Sequence, residues 1–268
     1  MSIIETDISE TTSPGRLPNK VEIPNPFTIT NELFKKEITK ISRGLLDEIG
    51  KNMAEKNKTL LENISEHTCI APREIVRKIR QEGSETPLSE HAEVMGVCTV
   101  KDGIPKIVLQ DPIEYWNNLP QYARDTMISR YSNLFVEQDK IPQAVRNLVV
   151  SQIQLETFRH EVVHVVQNRD NPDIFTKPLD ECCARYYEDL LVKKFGSRIG
   201  QLEEIDRKRI AFFESLIYVF GKEFVEKACF GDSTDRLRVK EVMARFTPEI
   251  IEELFPGGTG IESKRSPF

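Results

Sequence analysis

The chain of 268 residues has room for one large domain or two small ones, and its 37 basic against 43 acidic side chains leave a formal charge of -6. That acidic balance offers no electrostatic case for a nucleic-acid partner, and no apolar run approaches the roughly 18 residues of a membrane span. Five cysteines without a repeated spacing argue against a disulfide framework and for a reducing compartment, so a soluble, cytoplasmic protein is expected.

Residues 1–28, rich in Ser, Thr, Pro and Asn, read as a flexible tail, and their first twenty lack the basic and apolar regions of a signal peptide. Residues 29–255 read as one domain, and 256–268, FPGGTGIESKRSPF without its first residue, as a second tail. The domain opens with a stripe at helical spacing over 31–56: Leu33, Phe34, Ile38, Ile41, Leu45, Leu46 and Ile49. A shorter helix over 72–81 starts at Pro72, and its REIVRKIR segment alternates charge with apolar residues as an exposed helix face would.

The period then changes. VMGVCTV and KIVLQ, joined through Asp102 and Gly103, predict two strands in a hairpin. A helix over 120–137 follows. Pro142 opens a long helix whose Val145, Val149, Ile153, Phe158, Val162 and Val166 face inward, with Asn171 and Pro172 as its stop. Pro178 and Asp180 start the next helix, closed by Gly196, and further helices are expected over 200–228, 234–245 and 248–254. The fold class is therefore an α-rich α+β domain with a small sheet ahead of the long helix.

Within that long helix stands FRHEVVHVVQ, residues 158–167, holding two of the four histidines. Side chains four apart on a helix lie about 5–6 Å apart at Cβ, so His160 and His164 can each turn one nitrogen to a common point, as a tetrahedral zinc site requires. Glu161, about 100° round the helix, can reach past that point to a water. His-Glu-x-x-His is the zinc-peptidase signature with the glutamate as general base. The bland alternative is a buried helix whose histidines bond to backbone or carboxylates. A third histidine six residues on is absent, since Asp170 stands there and Gln167 replaces the glycine expected midway. Glu181, 17 residues after His164 on the following helix, is the candidate third ligand; three protein ligands plus water make the catalytic form of a zinc site.

HEVVHVVQ followed by ECCAR resembles the compact gluzincin peptidases, over roughly residues 142–195. The resemblance implies a zincin-like core, with the glutamate-bearing helix antiparallel to the first. It implies Zn2+ held by His160, His164 and Glu181, Glu161 as general base, and Ala184 as the small residue that lets the two helices approach. Arg185 departs from the pattern, standing where many members carry an aspartate that supports a ligand. Glu188, two turns beyond Glu181 on the same face, is the candidate replacement.

Other residues near the motif carry weaker expectations. Gln167, on the histidine face, could contact the site's water, and Arg185 could donate to an oxyanion. Cys182 and Cys183 point about 100° and 200° away from Glu181 and are expected as buried small side chains. Tyr186 and Tyr187 are assigned to packing, and His67 and His91 to structural or exposed roles. KIVLQ is expected as an exposed sheet edge, with Ile107–Leu109 lining a cleft that takes substrate as an added strand. The functional expectation is a zinc-dependent metallopeptidase acting on a peptide or protein. The alternative is a catalytically inactive module of the same fold that binds a macromolecular partner.

Overall fold

The computed structural model of the chain describes residues 32–82, 94–101, 104–132, 140–167, 176–196 and 202–231. Both expected tails, the helices over 234–245 and 248–254, the Asn171–Pro172 stop and His91 lie outside these residues.

Helix α1 (Glu32–Ile49) forms where the stripe predicts, with Phe34, Ile38, Ile41, Leu45 and Ile49 buried. It does not run to residue 56. Gly50–Asn52 form a tight turn and Met53 is extended, so a separate helix α2 (Glu55–Glu62) follows. Glycine and asparagine are poor helix formers, and two of them within three residues outweigh the continuing pattern. Strand β1 (Thr68–Ala71) and helix α3 (Arg73–Glu82) come next, then β2 (Gly96–Lys101) and β3 (Ile104–Gln110), which form the expected antiparallel hairpin. α3 has the expected exposed face at Glu74, Lys78 and Glu82 with Val76 and Ile79 buried, and of its charged residues Arg80 is buried as well.

The sheet has the order β1-β3-β2. β1 runs parallel to β3, with Cys69 opposite Val108, and α3 lies on the connection between β1 and the hairpin. This overturns the expectation for KIVLQ. β3 is the central strand, paired on both sides, and Ile107, Val108 and Leu109 are fully buried, so they line no cleft. The apolar composition of KIVLQ reflects burial on both faces. Ile107 and Leu109 join the main core with Phe158 and Val162, while Val108 packs with Cys69, Val76 and Val97 on the other side.

Asp111 accepts from the backbone of Ile113 (2.8 Å) and Pro112 occupies the first turn, which together start the short helix α4 (Pro112–Asn118). α5 (Gln121–Tyr131) forms within the expected span, whose residues 133–137 lie outside the described ones. The long helix α6 (Ile141–Val166) has Pro142 in its first turn and stops at Gln167, which is extended. Asn57 on α2 donates to the Val166 carbonyl at 2.8 Å, satisfying one of the acceptors that a helix end leaves open. The first half of α6 packs Val145, Val149 and Ile153 against Tyr115 and Trp116 of α4, and its second half enters the main core.

Helix α7 (Thr176–Phe195) begins two residues before Pro178, which puts Glu181 in its second turn, and Gly196 follows it with positive φ. Contacts between positions 160 and 188, 164 and 181, and 167 and 180 run in opposite order along the two helices, so α7 is antiparallel to α6. The expected helix over 200–228 is two helices, α8 (Glu204–Phe220) and α9 (Lys222–Phe230), divided at Gly221 with φ 85°. Among the described residues, no helix is long and apolar enough to cross a membrane.

Candidate metal centre

The second half of α6 is buried around its whole circumference from Phe158 to Val166. This carries His160 and His164 inside the protein, where an imidazole needs partners. His164 Nδ1 lies 2.7 Å from Gln167 Oε1, and Gln167 Nε2 donates to the Asp180 carbonyl at 2.7 Å. The second bond sets the amide orientation: its NH2 faces the carbonyl, so its oxygen faces His164. Nδ1 of His164 must then carry the proton, leaving the Nε2 lone pair directed away from Gln167.

His160 is held in the same sense. Its Nδ1 lies 3.2 Å from Glu188 Oε2, the position expected for a carboxylate that orients a ligand histidine. The two Nε2 atoms therefore face each other at 3.0 Å. Glu181 completes the group, with Oε1 3.5 Å from His160 Nε2 and Oε2 3.5 Å from His164 Nε2. All three side chains are buried. At zinc bond lengths of 2.0–2.1 Å, neighbouring corners of a tetrahedron stand roughly 3.4 Å apart. Separations of 3.0–3.5 Å match that figure, so the residues present fit a zinc ion.

Two lone pairs and a carboxylate facing one another need a cation, a proton or both. Burial pulls the His160 pKa down and Arg185 adds to this, but the Glu181 and Glu188 carboxylates outweigh them and raise it above its ordinary value. Burial would raise the Glu181 carboxyl, yet His160, His164 and Arg185 hold it well below the usual carboxylate range.

Glu161 is 4 % exposed, and its Oε2 is buried with no hydrogen-bond partner among the described residues. An unpaired buried carboxylate oxygen is costly unless a water or ligand group meets it. Behind Glu161 lies the sheet: a Cβ on Gly96 would stand 2.5 Å from Thr157 Cγ2 and 3.1 Å from Glu161 Cγ. Glycine at this position lets β2 approach the Glu161-bearing turn of α6 closely.

Arg185 sits among carboxylates, with Nε 3.3 Å from Glu181 Oε1 and 3.1 Å from Asp206 Oδ1, and Nη1 2.8 Å from Glu188 Oε2. A guanidinium so engaged is positioned to balance buried charge, which differs from the oxyanion role expected of it. Gln167 likewise lies behind His164 and bonds the Asp180 backbone. Cys182 and Cys183 are fully buried in the main core, as expected, as is Tyr187, whose hydroxyl donates to Glu226. His67 is half-buried and apart from the group.

Asp206 and Arg209 of α8 were not expected at the site. Arg209 Nη1 lies 3.2 Å from Asp206 Oδ1 and 3.9 Å from Glu181 Oε1. Their run, IDRKRIAFF, looks like a solvated stretch. One signal was available: Asp206 and Arg209 stand four residues before the buried Ile210 and Phe213, and so share the inward face of the helix. Comparisons of the chain with protein-family models, with curated proteins and with solved structures found no match.

Proposed function

We propose that the chain is a zinc-dependent metallopeptidase, related in its site to the gluzincins. The observation that carries the reading is the convergence of His160, His164 and Glu181 on one point, next in sequence to a buried Glu161 whose Oε2 has no hydrogen-bond partner among the described residues. A zinc ion held there would supply a Lewis acid and acidify a water. Glu161 takes the proton of the attacking water and returns it to the leaving amine. Glu188 and Gln167 keep both imidazoles in the tautomer that presents Nε2. β2 pairs with β3 on one side and with no other described strand, and it passes Glu161 at Gly96. An extended peptide added along β2 would place its backbone beside the base.

Burial favours a second reading, a zinc-containing module without catalysis. His160, the most exposed of the three ligand residues, is only 8 % exposed.

The deciding experiment is elemental analysis of the purified protein with its His164→Ala and Glu181→Ala variants, beside peptide-library hydrolysis by the wild type and Glu161→Gln. The peptidase reading expects about one zinc per chain, lost in both ligand variants, and turnover abolished in a zinc-retaining Glu161→Gln. Stoichiometric zinc without hydrolysis would select the module. Absence of zinc after reconstitution would remove both readings.

A further inference from the structure

We propose that Asp206 on α8 is a positioning residue for the ion site: it draws the Arg185 guanidinium off Glu181 and so keeps that carboxylate available to a divalent cation. The inference rests on the metal-binding part of the proposed function and is independent of hydrolysis.

Two groups compete for one oxygen of Glu181. Glu181 Oε1 lies 3.5 Å from His160 Nε2, on the side of the proposed ion, and 3.3 Å from Arg185 Nε. A guanidinium bound closely to a carboxylate occupies the lone pairs a metal needs. Arg185 stands one turn beyond Glu181 on the same helix, the spacing at which such pairs form readily. The two already form an ion pair at 3.3 Å, which would tighten if the guanidinium had no other carboxylate to face.

Glu188 and Asp206 oppose that closure in different ways. Glu188 holds Nη1 at 2.8 Å but is also the partner of His160 Nδ1, so its charge is shared. Asp206 comes from another helix and approaches Arg185 Nε more closely than Glu181 does, 3.1 Å against 3.3 Å. The same Asp206 oxygen also lies 3.2 Å from Arg209, which has Glu181 at 3.9 Å as well. Asp206 thus gives both guanidiniums an alternative to the ligand carboxylate. At 8 % exposure it exerts this pull with little screening by water.

The test measures zinc affinity by competition with a chromophoric chelator at neutral pH, for the wild type, Asp206→Asn, Asp206→Glu and the double variant Asp206→Asn with Arg185→Met. Outer-sphere partners of metal ligands typically contribute about 10–100-fold in affinity, and a loss of that size is expected for Asp206→Asn. Asp206→Glu, which keeps the charge, should stay within a few-fold of the wild type. The double variant should recover most of the loss, because the competing cation has gone. Thermal unfolding with EDTA confirms that each variant is folded, and an unfolded Asp206→Asn leaves the charge-keeping Asp206→Glu and the double variant to decide.

An unchanged affinity in Asp206→Asn would overturn the proposal. So would a double variant that binds no better than the single one, the outcome expected if Asp206 were only a packed partner of Arg185. Either result leaves the zinc site itself standing. A wild type that binds no zinc removes the metal site and this inference together.

Discussion

Gln167 shows how one side chain can set the chemistry of another. Its amide spans the Asp180 carbonyl and His164 Nδ1, so a backbone group on α7 dictates which nitrogen of a histidine on α6 holds the proton. Glu188 does the same for His160 by charge. The pH behaviour follows from these surroundings. His160 titrates above its ordinary 6.5, so in the metal-free protein its protonated form contributes stability that is complete below that value and lost as pH rises through the folded pKa. Glu181, held well below the ordinary 4.5, contributes stability that is present above that value and lost as pH falls through the folded one. Zinc must displace the His160 proton, so its affinity should climb by up to about tenfold per pH unit while that group is protonated. Chelator titrations at several pH values, with unfolding curves in EDTA, check both statements. A zinc affinity that is flat with pH would contradict them.

At the scale of elements, the close pass between β2 and α6 is set by Gly96. A methyl group there would meet Thr157 Cγ2 at 2.5 Å, a distance at which the Thr157 side chain, the strand or the helix must shift. Gly96→Ala should cost about 1–3 kcal/mol, as overpacking does in a well-filled interior. Removing the obstructing methyl with Thr157→Ser should restore most of that stability in the double variant, while purely additive losses in denaturant unfolding would refute the assigned contact. α1 and α7 meet by a similar device at Gly44, where a Cβ would fall 2.0 Å from the Phe195 ring. The Asn57 bond to the end of α6 is a third case, in which a polar side chain on one helix terminates another.

Over the whole molecule, the proposed ion site is where α6, α7 and α8 are cross-connected. Glu181 and Glu188 reach from α7 to α6, and Asp206 and Arg209 reach from α8 to α7. A ligand that binds only the folded state at 1,000 times its dissociation constant adds about 4 kcal/mol. For a chain of this size, that corresponds to a rise of roughly 10 °C in Tm. Zinc should produce such a rise in the metal-free protein, EDTA should reverse it, and His164→Ala should remove it. A thermal scan in which that variant responds as the wild type does would place the binding elsewhere.

What the sequence determined by itself was local. The stripe of α1, the proline start of α6, the pairing of β2 with β3 and the glycine after α7 are written in periods and caps that span a few residues. The pairing of His160 with His164 was legible for the same reason, and Glu188 was legible from its seven-residue spacing to Glu181. Tertiary structure decided the rest, because those features depend on which distant segments meet. β1 has four residues and no distinctive pattern, yet its pairing turns β3 from an expected edge into the centre of the sheet. Arg185 and Gln167 were placed on the correct faces by helical angle, but their partners Asp206 and the Asp180 carbonyl are supplied by packing. A short polar run such as IDRKR has the same local character whether its face meets water or a buried carboxylate, and only the fold distinguishes the two.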